Sequence, residues 1–246
     1  MPKWPLPTKG KVYVTRPSPG PHPLQRSIPL LVLVRDYFKA AETGDEARTI
    51  LNAGSIIVDG NIRKGGHFPV GMMDTINVPV ANEAYRVTLQ HDRLALTKIS
   101  AAEATHKLCR VEGKSVVRGG QLQLNLHDAR NILTSDAVQV GDTLDIDVPA
   151  QTIRARYPRV EGAECLIIAG KNQGAVGIIQ KITRRTDLLG TSVAEVKISS
   201  GTVETRLENI FVTGGKAEKA TSKAKSTAPK PEKKAKKAKK SRSSQE

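Results

Sequence analysis

The stretch TGDEARTILNAGSIIVDGNIRK, residues 43–64, has the features of a short helix followed by a tight β-hairpin. Thr43 and Glu46 have the spacing of a capping box, in which two side chains bond the free backbone N–H groups at a helix start. Asp59-Gly60 is a strong signal for a two-residue hairpin turn, because both residue types tolerate positive φ. This stretch therefore predicts a helix–hairpin unit.

The flanking segments extend this unit on both sides. Residues 27–41 (SIPLLVLVRDYFKAA) predict a first helix, because their apolar residues recur at helical spacing. On that helix, Arg35 and Lys39 lie four positions apart and are expected to share one face. Residues 68–78 (FPVGMMDTINV) predict a further turn and strand. Residues 27–80 thus form a compact basic unit, whose candidate contact residues are Arg35, Lys39, Arg48, Arg63 and Lys64.

This unit resembles the small RNA-binding module named after bacterial ribosomal protein four. The segments EAR, VDG and GMMDTI carry the resemblance, and they follow the first helix in that order. In that family, two helices and the following hairpin place basic side chains against structured RNA. The resemblance implies that the five basic residues contact RNA. The alternative for each of them singly is an ordinary solvated charge.

The charge of the chain indicates a polyanionic partner. Its 246 residues carry a formal net charge of +15, and only 3% are aromatic, which favours contacts to phosphate over stacking of bases on rings. Residues 214–246 contribute +9 of this charge and lack the large apolar residues that a folded core requires. We expect a disordered lysine-rich tail that binds RNA phosphate; the alternative is a tail that only solubilises the chain.

A second basic segment opens the chain. Residues 1–26 contain seven prolines and no acidic residue, so extended or turn conformations are predicted. We expect this extension to lie along an RNA groove; the alternative is that it packs on its own domain. The residues expected to contact RNA here are Lys9, Lys11, Arg16, His22 and Arg26.

Residues 81–150 predict a mostly β domain with one helix. The segment AYRVTLQHDRLALTKI is typical of a hairpin that turns at His91-Asp92, and the leucines of QLQLNL alternate in the period of a strand. Ser100 and Glu103 have the spacing of a second capping box, which predicts a helix at this point. Charges of both signs alternate along the domain, so no binding site is predicted in it.

Several histidine, aspartate and cysteine residues are of the types found in catalytic or metal sites. The pairs at residues 91–92 and 127–128 are His-Asp, but neighbours on a strand point to opposite faces and no positioned partners are visible. His106 and Cys109 lack a second Cys/His pair that would complete a zinc site, and Cys109 lacks a neighbouring base. We therefore predict no enzyme activity, no catalytic residue, no metal and no cofactor, and expect satisfied side chains near the core.

Cysteine content and hydropathy favour a cytoplasmic protein. The two cysteines, Cys109 and Cys165, are too few for a disulfide framework and are expected to be thiols in a reducing compartment. No run approaches the roughly twenty apolar residues of a membrane span, and no signal-peptide stretch follows Met1. We expect neither a membrane nor a small-molecule substrate as a partner.

The glycine-rich segment AGKNQGAVGIIQKI, residues 169–182, is not predicted to bind a nucleotide. A P-loop has lysine and a hydroxyl residue after its last glycine, whereas Lys171 follows the first glycine here and Ala175 the second. The glycine spacing also differs from the dinucleotide fingerprint. The β-branched runs ECLIIAG and VGIIQKI instead predict two strands joined by a short loop.

This strand–loop–strand resembles a KOW motif, which belongs to a small SH3-like β-barrel. Residues 151–213 would form that barrel, and KOW modules contact RNA or protein through the loop. The resemblance implies RNA contacts by Lys171 and Asn172 at the loop and by Lys181 on the strand that follows.

The whole order of segments resembles one family. RPSPGPH, VDG, THKLCRVEGK, GKNQGAVG and RLENIFVTG match the archaeal and eukaryotic small-subunit ribosomal protein four of e-type over about residues 12–213, closer to the archaeal form. The resemblance implies a multi-domain α+β fold and a non-enzymatic structural role on the cytoplasmic ribosome. Its implied partners are small-subunit ribosomal RNA and neighbouring ribosomal proteins. The alternatives are a KOW-type transcription or translation factor and an RNA-modifying enzyme, such as a pseudouridine synthase, that uses the same RNA-binding module.

Overall fold

The structure, a computed structural model, describes Trp4, residues 13–184, residues 191–215 and the backbone of residues 218–219. These parts of the chain are mostly β, with two short helices and several antiparallel sheets. The predicted α+β class is confirmed in this coarse form. No helix among the described residues has the length and apolar content needed to cross a membrane.

The strands of the N-terminal part form one sheet and one separate pair. They are β1 Ser27–Pro29, β2 Ile57–Val58, β3 Asn61–Ile62, β4 Pro69–Gly71, β5 Thr75–Val78, β6 Glu83–Gln90 and β7 Arg93–Ile99. Strands β1 and β4 pair with each other, and the other five form the N-terminal sheet in the order β3-β2-β5-β6-β7. The hairpin β6–β7 therefore continues this sheet past residue 80, where the sequence predicts a domain boundary.

Both predicted two-residue turns are present. Asp59 and Gly60, with φ of +50° and +73°, join β2 to β3. His91 and Asp92, with φ of +44° and +68°, join β6 to β7. Two successive residues of positive φ match the twist of the paired strands, which is why such turns close short hairpins.

The two helices lie between β1 and β2. Helix α1 begins with the α-helical residues Leu30–Val32 and continues as a π-helical turn over Leu33–Tyr37, and helix α2 covers Gly44–Asn52. Helix α2 starts as predicted, because the backbone N–H of Glu46 donates to Thr43 Oγ1 at 3.2 Å.

The prediction of one helix over residues 27–41 is wrong at both ends. Ser27–Pro29 is strand β1, since Pro29 disfavours helical conformation in the residue before it and the segment pairs with β4. At the other end, Lys39 has a left-handed φ of +52° beyond the last helical turn. Arg35 and Lys39 therefore do not share a helical face.

The rest of the chain forms two further sheets. Its strands are β8 His106–Val116, β9 Leu122–Leu126, β10 Asn131–Thr134, β11 Thr143–Asp147, β12 Ile153–Tyr157, β13 Glu164–Ile167, β14 Val176–Thr183, β15 Val193–Ile198, β16 Gly201–Arg206, β17 Ile210–Gly214 and β18 Glu218–Lys219. The central sheet has the order β10-β9-β8-β11-β12-β18, and the C-terminal sheet has the order β16-β15-β14-β13-β17.

The helix predicted after Ser100 is a single 3-10 turn, Glu103–Thr105. The capping bonds are present, since the backbone N–H of Ser100 donates to Glu103 Oε2 at 3.0 Å and that of Glu103 to Ser100 Oγ at 3.3 Å. The helix does not continue because β8 begins at His106 and pairs with β11.

The C-terminal sheet contains the predicted strand–loop–strand, with β13 and β14 paired on either side of the glycine-rich loop. Its assignment to a KOW barrel stays a prediction. Residues 220–246 lie outside the described part of the chain, so the disordered tail stays a prediction as well.

The apolar core is divided into three clusters. The N-terminal cluster contains both helices and the N-terminal sheet and extends to Leu166, Ile168 and Phe211 of the C-terminal sheet and its adjoining loop. A second cluster lies within the C-terminal sheet. A third, around Val111 and Leu124, belongs to the central sheet. The N-terminal and C-terminal sheets thus share a core that the buried apolar residues of the central sheet do not join.

Candidate RNA-binding surface and a buried ion network

Most of the predicted RNA contacts are exposed cations. Those without an acidic partner among the described residues are Arg16, Arg26, Lys39, Lys64, Lys171 and Lys181. We call these six the free cations. Such side chains break no ion pair when they bind phosphate. They are therefore suited to the predicted RNA contacts.

The described residues of the N-terminal extension contact the chain's own fold, and their place along an RNA groove stays a prediction. Trp4 Nε1 donates to the carbonyl of Ser27 at 2.9 Å, and His67 Nδ1 donates to the carbonyl of Arg16 at 2.9 Å. The side chain of Arg16 stays exposed in this arrangement. Two predicted contacts, Lys9 and Lys11, lie outside the described residues.

Three predicted contacts on the helices and hairpin have intramolecular partners. Arg35 donates two bonds to Asp36, at 2.9 and 2.8 Å, and only 13% of its side chain is exposed. Arg48 pairs with a carboxylate one turn earlier on α2. The guanidinium of Arg63 lies 4.6 Å from the centre of the Phe68 ring, a cation–π contact. Arg35 is therefore a poor candidate for phosphate binding.

His22 does not lie on the RNA-binding surface that the sequence predicts for it. The residue is 6% exposed, and its Nε2 donates to Asp74 Oδ1 at 2.9 Å. The ring fits because residue 71 is glycine: a Cβ at Gly71 would lie 2.2 Å from it. His22 is buried in the contact between the extension and the segment that joins β4 to β5, so we do not assign it as an RNA contact.

The centre of this buried region is Lys107, on β8, whose side chain is fully buried. Its Nζ lies 2.9 Å from Asp59 Oδ2, 2.5 Å from Asp74 Oδ1 and 3.0 Å from Asp128 Oδ2. An ammonium group has three N–H donors, so the three carboxylates provide one acceptor for each. Asp59 and Asp74 belong to residues 27–99, which contain both helices and strands β1 to β7 and which we call the N-terminal unit. Asp128 belongs to the turn between β9 and β10.

Arg130 supplies a second cation at the edge of this cluster. Its side chain, 16% exposed, approaches Asp59 Oδ2 at 2.7 Å and Asp128 Oδ2 at 3.2 Å. Asp59 Oδ1 accepts from the backbone N–H of Thr75 at 3.0 Å. Burial of a charge is tolerated when the group is paired and hydrogen-bonded, and these contacts meet that condition. We call Lys107, Asp59, Asp74, Asp128, Arg130 and His22 the ion network.

The network shifts the pKa values of its members. Burial opposes the charge of Lys107, but Asp74 and Asp59 outweigh it and raise the pKa of Lys107 well above its ordinary value. Burial also opposes ionisation of Asp74, yet Lys107 and His22 hold the pKa of Asp74 well below its usual range. For Asp59, burial and then the charge of Asp74 raise the pKa. The close attraction therefore keeps both members of the Lys107–Asp74 pair ionised.

Sequence reasoning missed this network, although one signal for it exists. Lys107 alternates with Cys109 and Val111 on the buried face of β8, and this period of two indicates an inward-facing lysine. Its partners Asp59 and Asp74 lie 48 and 33 residues away. No short-range sequence pattern indicates contacts between residues that are so far apart in the chain.

Cys109, His127 and Asp128 also come together, with potential ligand atoms within 4.8 Å of one another. The expectation that residues 127–128 point to opposite faces is wrong, because they lie in the turn after β9. His127 Nδ1 accepts from the Arg110 backbone N–H at 3.2 Å, and Nε2 donates to the Met72 carbonyl at 3.3 Å. Both ring nitrogens are therefore engaged, and burial raises the pKa of the Cys109 thiol, which disfavours the thiolate that binds metals.

The glycine-rich loop packs against the N-terminal sheet. Gly174 has a φ of +86°, and a Cβ on it would lie 2.9 Å from the backbone nitrogen of His91. Because residue 174 is a glycine, the loop can adopt a left-handed turn here and can approach the backbone of the N-terminal sheet closely. Lys171 is exposed on this loop, whereas Asn172 is half-buried.

Comparisons with known proteins agree with one another. The model of ribosomal family S4e matches residues 81–153, and that of the RS4NT (NUC023) domain matches residues 2–25. The chain is 39% identical to small ribosomal subunit protein eS4 of Methanothermobacter thermautotrophicus over 213 residues, which are 86% of this chain and 88% of the relative. It is 42% identical to the protein of the same name from Methanocaldococcus jannaschii over 193 residues, 74% and 78% of the two chains.

A solved structure supports the same relationship. The fold is similar to the crystal structure of the 30S ribosomal protein S4e from Thermoplasma acidophilum, with a TM-score of 0.66 and 32% identity. The match covers 78% of this chain and 96% of that one.

The similarity to these relatives and to the solved S4e structure defines the class of the chain as a structural protein of the small ribosomal subunit. The chain belongs to the S4e family of ribosomal proteins, as its identity to these relatives over most of their length shows. The predicted family is confirmed, and with it the role of a structural ribosomal constituent.

Proposed function

We propose that the chain acts on the cytoplasmic ribosome as a non-enzymatic constituent of the small subunit that binds small-subunit ribosomal RNA beside neighbouring ribosomal proteins. Family membership supports this role, since the relatives are named small ribosomal subunit proteins. The observation that carries the RNA-binding part is the set of six free cations on a chain of net charge +15.

The cations of the chain are used in two different ways. Lys107 and Arg130 are directed inward and paired with buried carboxylates. Arg26 and Lys64, in contrast, are exposed without an acidic partner in the described part of the chain. A free cation that binds phosphate releases counterions from the RNA, whereas a paired one must first leave its carboxylate. The free cations are therefore the better RNA ligands.

Two folded units present these cations. We assign residues 27–80 as the RNA-binding module, with Lys39 and Lys64 on its surface, and residues 151–213 as a KOW-type module, with Lys171 and Lys181. Phosphate contacts fix the position of a protein on RNA, and the folded units set the spacing between contacts, so that RNA shape is recognised.

The test compares two double variants that remove equal charge. Arg26→Gln with Lys64→Gln removes two free cations, and Arg48→Gln with Lys98→Gln removes two paired ones. Binding to small-subunit ribosomal RNA is measured between about 50 and 200 mM salt. The first variant should lower the salt slope by about 0.7 to 0.9 for each phosphate that is no longer neutralised, and the second should lower it less.

Equal reductions of the salt slope would contradict the role of the free cations. The two alternative functions are tested by sedimentation of the full chain with small subunits at high salt and by assay of uridine modification. A transient KOW-type factor dissociates under these conditions, and an RNA-modifying enzyme shows turnover.

A further inference from the structure

The N-terminal sheet and the central sheet meet at a junction where polar contacts dominate. Val111, Leu124 and the other buried apolar residues of the central sheet form a cluster separate from that of the N-terminal unit. Leu108, which is half-buried, is the central-sheet residue that packs against the N-terminal cluster among those described. Apolar burial is also non-directional. The relative orientation of the two sheets therefore depends on other contacts.

We propose that Lys107 and its three carboxylates are positioning residues that set the angle between the N-terminal unit and the central sheet. The free cations of the N-terminal unit and the exposed Lys114 and Arg118, on β8 and in the turn after it, then reach one RNA. This inference rests on the proposed function. Lys107 holds Asp59 and Asp74 across the junction and Asp128 on its own side.

The geometry of these bonds is what makes the orientation unique. A hydrogen bond weakens steeply when its length or angle departs from the preferred range. A shift of one sheet against the other would leave Lys107 or a carboxylate buried without a partner, which is strongly unfavourable. Arg130 bonds to Asp59 and Asp128 and so spans the same junction.

The network also fixes the N-terminal extension. The ring of His22 bonds to Asp74, the same carboxylate that bonds to Lys107. The free cations Arg16 and Arg26 lie on either side of His22 in the sequence. Their position relative to the two sheets is therefore tied to the same cluster.

The test is a charge-free variant of the full chain: Lys107→Met and Arg130→Met with Asp59→Asn, Asp74→Asn and Asp128→Asn. Removal of all the charges together leaves no uncompensated buried charge, which is the main cost of breaking such a cluster, so the units are expected to fold. Spin labels on Asn52→Cys and Gln121→Cys, both exposed, report the distance between α2 and the β8–β9 turn. Labels on Asn52→Cys and Arg93→Cys, within the N-terminal unit, are the control. The native cysteines are buried, so labels attach at the introduced sites.

We expect the distance distribution across the junction to broaden in the charge-free variant while the control distribution stays unchanged. Affinity for small-subunit ribosomal RNA should fall by about tenfold. If the charge-free variant does not fold, Asp59→Asn alone is measured in the same way, because Asp59 lies across the junction from both Lys107 and Arg130.

Two outcomes would overturn the proposal. A narrow distribution at the wild-type distance, whatever the RNA affinity, excludes the positioning role. A broad distribution with unchanged affinity excludes the link to RNA. Broadening of the control pair as well marks a loss of fold, and Asp59→Asn alone then decides between these two outcomes. Failure of the wild-type chain to bind the RNA would instead contradict the proposed function, and the distance measurement would still test the network.

Discussion

The Nζ atom of Lys107 lies 3.0 Å from Asp128 Oδ2, and neither side chain is exposed to solvent. Burial alone disfavours both charges, but Lys107 lowers the pKa of Asp128, and Asp74 and Asp59, ahead of Asp128, raise the pKa of Lys107. The pair joins β8 to the turn after β9, and through Asp59 and Asp74 it extends into the N-terminal unit. Stability should therefore respond to any change that leaves one of these charges alone.

Lys107→Met should lower the free energy of unfolding by about 3 to 5 kcal/mol, because three buried carboxylates lose their shared cation. Asp59 and Asp128 then retain Arg130, and Asp74 retains its hydrogen bond from His22. Urea denaturation of the full chain measures this change. Lys197→Met is the control, since Lys197 is exposed and surface changes usually stay within about 0.5 kcal/mol. Equal effects of the two substitutions would contradict the importance of the network.

His127 should make the protein less stable in acid. Burial, and then the charge of Lys107, lowers the pKa of His127 to about 4 in the folded protein, against about 6.5 in an unfolded chain. Between these values the unfolded state binds more protons, so stability falls as the pH drops from about 6.5 to about 4. The full contribution is on the order of 3 kcal/mol.

The variant His127→Gln isolates this effect. Glutamine retains an acceptor for the Arg110 N–H and a donor for the Met72 carbonyl but does not titrate. Unfolding free energies measured at several pH values between 7 and 4 should depend less steeply on pH in the variant. The carboxylates titrate in both proteins, so the difference between the two curves reports His127. Parallel curves would refute the assignment.

Gly174→Ala should destabilise the protein more than Gly170→Ala. Both glycines have positive φ, +86° and +100°, and both alanines carry similar backbone strain. At position 174 the added Cβ also meets the backbone nitrogen of His91 at 2.9 Å, whereas at 170 it meets only Asn209 Nδ2 at 3.7 Å. Overpacking of this kind costs about 1 to 3 kcal/mol. Thermal melts of both variants measure the difference, and equal melting temperatures would show that the loop does not depend on this close approach.

Removal of residues 220–246 should weaken RNA binding without unfolding the protein. The truncation takes away ten basic and two acidic residues and leaves β18 in place. The salt dependence of RNA binding should flatten by about 0.7 to 0.9 for each phosphate that the tail had neutralised, while urea denaturation stays unchanged. An unaltered salt slope would mean that the tail does not bind RNA.

The sequence by itself determined the elements whose cause is local. The capping pair Thr43 and Glu46 starts a helix because their side chains bond N–H groups within one turn of the chain. The turn at Asp59-Gly60 likewise depends on the φ values that two adjacent residues adopt. Prediction failed where a distant strand competed with a local signal. Ser27–Pro29 pairs with β4, and β8 ends the helical turn after Ser100.

Only the tertiary structure decided the use of the charged residues. From sequence, His22 and Arg26 were equal candidates for RNA contact, but folding buries His22 against Asp74 and leaves Arg26 exposed. The sequence predicts Asp59 as a turn residue, and in the structure its carboxylate also accepts a hydrogen bond from Lys107, 48 residues away. Burial and the approach of opposite charges depend on how the sheets pack. The composition of the chain therefore predicts a basic RNA-binding protein, while its fold decides which charged side chains stay exposed and which are buried and paired between the sheets.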